Sequence, residues 1–223
     1  MSRDGSDEVR WTALREEMVV RQLERRGVSD PEVLAAMRRV PRHRFVPQAM
    51  WGEAYGDHPV PIGEGQTISQ PYIVAEMTAL VRTATPPVRK VLDVGTGSGY
   101  QAAIFAELGL EVVSIERIPE LAERARVRLG ELGYGRVDVR TGDGTLGCPD
   151  AAPFCAILVA AAAPEVPAAL TNQLRPGGVL VIPVGSRWLQ DLLVVRRTAH
   201  GIERETAGGC VFVPLVGEQG WER

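Results

Sequence analysis

Three glycines and one acid carry the clearest chemistry in this sequence. In VLDVGTGSGY, Gly95, Gly97 and Gly99 follow a short apolar run and open a helical pattern. A backbone that turns sharply and lets a ligand come close needs residues without side chains there. Glu116 closes the next apolar run, 21 positions after Gly95. An acid at such a strand end is placed to accept hydrogen bonds from two ribose hydroxyls. The plainer alternative is an ordinary glycine turn in an α/β domain. The spacing is GxGxG, not the GxGxxG of dinucleotide sites, whose third glycine packs helix on strand beneath a pyrophosphate. A second stretch, GEGQTISQPYIVAEM (63–77), crowds Gly, Gln, Thr, Ser and Pro ahead of a helical pattern. It predicts polar groups held at a helix entrance, with Pro71 in the first turn. Ser69 has two readings there: an N-cap, or a hydroxyl facing a ligand beside unpaired backbone N–H groups. Thr67 and Gln70 offer an alternative capping box. His43, His58 and His200 fit no acid–base pair and read as surface or structural residues.

The elements that must position these groups alternate. A helical pattern over 8–26 has apolar residues at mixed spacing and stops at Gly27. SDPEVLAAM restarts a helix, with Ser29 or Asp30 as N-cap and Pro31 in its first turn. Residues 46–65 read as a long ordered loop, a feature often tied to function. After the helix near Pro71 and a linker, TATPPVRK, strands are predicted at 90–95, 111–116, VDVRTGD and 154–161. Helices lie between them at YQAAIFAELG and PELAERARVRLGELG, and a further one follows at PEVPAALTNQL. GGVLVIPVG, DLLVVRR and CVFVPLV close the chain as strands. Strand–helix alternation predicts a doubly wound, mostly parallel sheet with helices on both faces. The final run of strands predicts an antiparallel edge.

The chain has 223 residues, 45% of them hydrophobic, enough for one substantial core. The expected organisation is a disordered tail (1–7), a helical and loop subdomain (8–85) and an α/β core (86–223). A net charge of −3 provides no general attraction to nucleic acid. The arginines of 21–26 and 38–44 are interleaved with glutamate or apolar residues and read as solvated helix faces. Cys148, Cys155 and Cys210 form no CxxC and no metal-ligand spacing, so no disulfide framework and no metal site are expected. No secretory pattern and no bilayer-length apolar run is visible, and the expected location is cytoplasmic.

The loop D-V-G-T-G-S-G resembles motif I of S-adenosylmethionine-dependent methyltransferases, whose cofactor has no pyrophosphate. Asp143 in RTGDG stands where such enzymes set an acid or amide against the adenine amino group. LRPGG (174–178) is a further shared feature. Within that class the chain resembles the protein-L-isoaspartate O-methyltransferase family. The likeness runs from about Met18 onward through RVPRHRFVP, YGDHPVPIGEGQTISQP, VLDVGTGSGYQAA, AAAPEVP, QLRPGGVLVIPVG and FVPL. TISQP is specific to that family among methyltransferases.

The resemblance implies methylation of the α-carboxylate of isoaspartyl residues, followed by closure to a succinimide and partial return to aspartate. It implies S-adenosylmethionine as cofactor, S-adenosylhomocysteine as product, and isoaspartyl proteins and peptides as substrates. The expected state is a monomer. Residue by residue, Ser69 falls on the catalytic position. Gln66, Thr67, Ile68, Asp93, Gly95, Thr96, Gly97, Gly99, Glu116, Arg117, Gly142, Asp143 and Gly144 fall on cofactor positions. Ile68, Ser69 and Val213 fall on substrate positions. The acceptor carboxylate, with a pKa of about 3.5, is ionised at neutral pH and needs no general base. The site must instead align oxygen, methyl and sulfur, which contributes roughly 7–11 kcal/mol in well-aligned systems.

Two departures stand out. Cys155 replaces the acid of the family's PFDAI, and Ala160 stands where the family often has Thr or Gly. Neither position carries a catalytic role in the resemblance, and Cys155 reads as a core thiol. Two rival functions are kept open: a related methyltransferase for one aspartyl carboxylate of a dedicated peptide, and a non-catalytic module retaining the cofactor pocket.

Overall fold

The computed structural model describes residues 3–222, with side-chain environments from residue 7 onward. Helix α1 (Arg3–Met18) runs into a π-helical turn (Val19–Leu23) and a short 3-10 turn (Glu24–Arg26). The tail expected over 1–7 is therefore helical from Arg3; residues 1 and 2 lie outside the described residues. Extending a formed helix adds one hydrogen bond per residue, and no proline blocks it here. The widened π turn explains the irregular apolar spacing. Met18 and Leu23 are five apart, yet both are buried. Gly27 ends the segment in a left-handed conformation, φ 94°. Helix α2 (Pro31–Arg39) starts on Asp30, whose side chain accepts from the N–H groups of Glu32 and Val33.

The stretch expected to be one long loop contains a 3-10 turn (Gln48–Glu53) and strand β1 (Val60–Gly63). β1 pairs antiparallel with β2 (Gln66–Ile68), so Gln66, Thr67 and Ile68 sit on a hairpin. Strands of three or four residues are too short for periodicity to reveal. Helix α3 (Pro71–Val81) follows.

The rest alternates: β3 (Lys90–Val94), α4 (Tyr100–Glu107), β4 (Glu111–Glu116), α5 (Pro119–Glu131), β5 (Asp138–Thr141) and β6 (Phe154–Val159). Then come α6 (Ala168–Asn172), β7 (Leu174–Gly185), β8 (Gln190–Thr198) and β9 (Gly201–Cys210). The seven-stranded sheet has the order β5-β4-β3-β6-β7-β8-β9. The first five of these strands are parallel, and β8 and β9 are antiparallel. The parallel sheet and its antiparallel edge match the expectation. Alternate residues of each strand feed opposite faces: Val91 and Ala156 join the core under α3, α4 and the N-terminal helices, while Leu92 and Ile157 join the other. Residues before 85 thus share one core with the sheet.

Two further elements differ from expectation. α6 is shorter: its N-cap Pro167 is itself extended (φ −60°, ψ 125°), and the helix begins at Ala168. The last strand is the polar β9, not CVFVPLV. An edge strand open to solvent needs no apolar face, and Pro214 cannot donate to a ladder. The apolar 211–216 segment turns across the strand ends instead.

Candidate functional site

Strand order reverses direction between β3 and β6, and open α/β sheets bind ligands outside the carboxyl ends of strands at such a point. A cleft partly open to solvent lies there. Its floor is the loop after β3. Gly95, Gly97 and Gly99 all take positive φ (91°, 52° and 88°), a region L-residues rarely occupy. A Cβ on Gly99 would lie 3.3 Å from the Leu129 side chain, so the third glycine seats the loop on α5 and does not face the cleft.

Glu116 ends β4 on the cleft wall. Gly97 N–H donates to its Oε2 at 2.9 Å and Ile118 N–H to its Oε1 at 3.0 Å. Each oxygen keeps acceptor capacity, and the carboxylate is fixed in orientation. Below the loop, Thr96 Oγ1 bonds Ser114 Oγ at 2.6 Å, and Ser114 Oγ donates to Asp93 Oδ2 at 2.7 Å. Asp93 is fully buried and its Oδ1 has no partner among the described residues. Burial pushes its pKa up to about 7, opposed by the Ser114 bond and reinforced by Glu116. Asp93 anchors the loop from behind.

Ser69 lies between β2 and α3, half-buried on the cleft wall. Gln70, not Ser69, occupies the N-cap position, and Pro71 is the first helical residue. The Gln70 amide donates to the carbonyl and carboxylate of Asp57, so neither the simple cap on Ser69 nor the Thr67–Gln70 box forms. The Ser69 hydroxyl makes no protein hydrogen bond among the described residues. Its carbonyl accepts from Arg42 Nη2 at 2.7 Å. Arg42 is fully buried against the Tyr100 ring, and burial lowers its pKa to about 10.

The segment after β9 closes the cleft. Ala162 N–H donates to Val213 O at 2.8 Å, and Leu215 N–H to Ala162 O at 2.7 Å. Trp221 Nε1 also donates to Ala162 O. Asp143 braces this segment: it accepts from Thr145 N–H, Thr145 Oγ1 and, at 2.8 Å, Glu218 N–H. Partial burial raises its pKa, and these bonds outweigh that and leave it lowered.

Of the residues singled out in the sequence, Gln66, Thr67, Ile68, Ser69, Gly95, Thr96, Gly97, Glu116, Arg117, Gly144 and Val213 line one cleft. Asp93, Gly99, Gly142 and Asp143 stand behind its wall. The wall also contains Val74, Met77, Tyr100, Gln101 and Leu158, which the sequence did not single out, and Ala160, noted there only as a departure from the family pattern. His43 is buried, stacked on Trp11 and bonded to Tyr55 OH at 2.8 Å, which suits the structural reading. Cys155 is buried in β6 as expected.

An acid fixed by its own glycine loop, at the reversal of a parallel sheet, is a Rossmann-like nucleotide site, and the solved and curated relatives place it in the class of S-adenosylmethionine-dependent methyltransferases. Two solved structures share the architecture. One, described as protein-L-isoaspartate O-methyltransferase, superposes with a TM-score of 0.79 at 28% identity over 92% of this chain and 67% of the other. The second is from Plasmodium falciparum and was solved with S-adenosyl-L-homocysteine. It superposes at 0.74 and 24% identity, over 91% and 98%. A family model described as protein-L-isoaspartate(D-aspartate) O-methyltransferase matches residues 14–220, and the chain belongs to that family. Protein-L-isoaspartate O-methyltransferase 2 of Marinobacter nauticus is 55% identical, over 99% of this chain and 100% of its own. Protein-L-isoaspartate O-methyltransferase of Methanoculleus marisnigri is 52% identical, over 93% and 94%.

Proposed function

We propose that this protein transfers a methyl group from S-adenosylmethionine to the α-carboxylate of L-isoaspartyl residues in damaged proteins and peptides. The observation that carries the reading is an uncommitted serine hydroxyl on the same cleft wall as an oriented Glu116. The cleft fits the cofactor: Glu116 keeps acceptor capacity for two ribose hydroxyls, and Ile115, Ile118 and Leu158 offer apolar surface for a base. Bound S-adenosylmethionine supplies an electrophilic methyl on a sulfonium. Gly95, Thr96 and Gly97 let it approach the backbone, with Gln66, Thr67, Ile68, Arg117 and Gly144 around it. Asp93, Gly99, Gly142 and Asp143 hold those groups in place.

Ser69 donates to the acceptor carboxylate, and Ile68 and Val213 flank it. The entrance of α3 adds unpaired backbone N–H groups and a partial positive charge. The carboxylate is already ionised, so no side chain has to remove a proton. The chain's task is to fix the oxygen in line with the methyl and keep water from it. The methyl ester then closes to a succinimide as the following backbone nitrogen displaces methanol. Water opens the ring to aspartyl or isoaspartyl products. In this reading residues 8–85 carry the substrate wall and 86–223 the cofactor-binding core. The protein acts as a monomer, and its three unpaired cysteines suit a reducing, cytoplasmic setting.

The test is methyl transfer from labelled cofactor to an isoaspartyl peptide and its normal aspartyl twin. Transfer to the first alone supports the proposal. Transfer to the aspartyl twin points to a different carboxylate acceptor, and tight cofactor binding without turnover points to a binding module.

A further inference from the structure

Three large apolar side chains gather on the surface beside the cleft without any folding reason to be there. Trp188 is 85% exposed, Leu189 68% and Val211 71%. Val9 and Val127, by contrast, stand singly on α1 and α5. Trp188 and Leu189 occupy the tip of the β7–β8 hairpin, where turns favour Gly, Asn, Asp or Ser. The turn is already specified by Ser186, whose hydroxyl accepts from Trp188 N–H at 3.2 Å and Leu189 N–H at 3.1 Å. Ser186 N–H also donates to Leu189 O at 3.0 Å. An indole and an isobutyl group held out from an ordered turn place apolar surface in water with no return in folding energy.

The patch is continuous with the cleft. Gln190 pairs with Cys210 at the open end of the β8–β9 ladder, so Leu189 and Val211 are the next residues outward on the two strands. Gln190 Oε1 accepts from Phe212 N–H at 2.9 Å, and Phe212 and Val213 line the cleft. Arg187, beside Trp188, stacks on Trp221, which is bonded to Ala162 next to the cleft-lining Ala161.

We infer that Trp188, Leu189 and Val211 form a docking surface for an apolar side chain of the acceptor polypeptide, a few residues from the carboxylate that is methylated. The inference rests on the function proposed above. An isoaspartyl α-carboxylate branches from a main chain that continues on both sides, so the polypeptide leaves the cleft over its rim. On the β8–β9 side that rim is this patch. Main-chain recognition in the cleft accepts any sequence; the patch adds a bias toward apolar flanks on one side.

The experiment compares isoaspartyl peptides that carry Leu or Ser at each position within three residues of the damaged site, on either side. It uses the parent protein and a Trp188→Ser, Leu189→Ser double variant. In the parent, Leu on one flank lowers KM about fivefold, equivalent to ~1 kcal/mol, and leaves kcat unchanged. In the double variant the two peptides fall within about twofold, with cofactor affinity and Tm unaltered. Equal KM values in the parent, or a preference that survives the double substitution, overturn the inference while leaving the methyltransferase reading intact. No methylation of any isoaspartyl peptide overturns both. A concentration-dependent dimer that the double substitution dissolves assigns the patch to a second copy and overturns the inference as well.

Discussion

Arg42 donates through Nη2 to the carbonyl oxygen of Ser69 and through Nε to that of Ala54, both at 2.7 Å. One buried guanidinium thus ties the strand end that carries the serine to the turn after Trp51. Among the described residues no carboxylate pairs with it, and Nη1 has no partner. A planar fork can span two carbonyls where a single ammonium cannot. Losing a charge-assisted bond of this kind costs roughly 1.5–3 kcal/mol. Arg42→Lys should therefore lower kcat/KM about tenfold or more, with cofactor affinity nearly unchanged. Normal kcat/KM in the folded variant would remove Arg42 from any positioning role.

Ser69→Ala separates chemistry from folding. The hydroxyl caps no helix and bonds no protein group, so thermal stability should change by no more than about 0.5 kcal/mol. Loss of a donor to the reacting carboxylate should lower methyl transfer about a hundredfold. Unchanged turnover with a lowered Tm would reverse the assignment.

Glu116→Ala removes the acceptor for the ribose hydroxyls and frees the Gly97 N–H. Two charge-assisted hydrogen bonds to a ligand are at stake, each on the order of 1.5–3 kcal/mol. Calorimetric titration with S-adenosylhomocysteine should show affinity reduced by about tenfold at least. An unaltered dissociation constant would mean the cofactor lies elsewhere in the cleft.

Asp143→Ala should loosen the chain's closing segment. Three hydrogen bonds to the carboxylate disappear, one of them from Glu218. Amide exchange at 217–221 should speed up, and stability should fall by about 2 kcal/mol at neutral pH. The native pKa is lowered, so this contribution is present above the unfolded value of 3.8 and is lost as pH falls through the lower native value. Parent and variant should converge below pH 4. Unchanged exchange at 217–221 would sink the bracing role.

Asp93 has the opposite sign. Its native pKa, raised from 3.8 to about 7, means the folded state holds a proton that the unfolded chain gives up. Its contribution is most favourable below the unfolded value and is lost as pH rises to about 7. Asp93→Asn removes that dependence. Without cofactor, the variant should gain about 2–3 kcal/mol relative to the parent between pH 5 and pH 8. Parallel stability curves across that range would show that Asp93 does not titrate there.

Much of the fold was legible because its signals are local. Asp30 before Pro31, Pro119 opening α5, Gly27 after the first helices and Glu116 closing β4 each act within a few residues of themselves. The short β1–β2 hairpin was not legible, since three or four residues show no period. β9 was hidden because a solvent-facing edge strand can be GIERETAGGC, and CVFVPLV misled because its apolar residues cover a cleft instead of entering a sheet. The site divides similarly. Glycines and polar residues at strand ends announce themselves, whereas Val74, Met77 and Leu158 line the cleft with the same spacing that core residues have. Asp143 shows the limit of a resemblance. Its position was apparent, but its bond to Glu218, 75 residues away, belongs to the tertiary structure alone.

The cleft joins residues 66–69 to residues 212–216, 143 positions apart at the nearest. During synthesis the glycine loop and Glu116 emerge long before the wall that completes them. A nascent chain that has not yet reached residues 212–216 therefore has an open pocket, and catalytic competence waits for that segment to emerge and fold back.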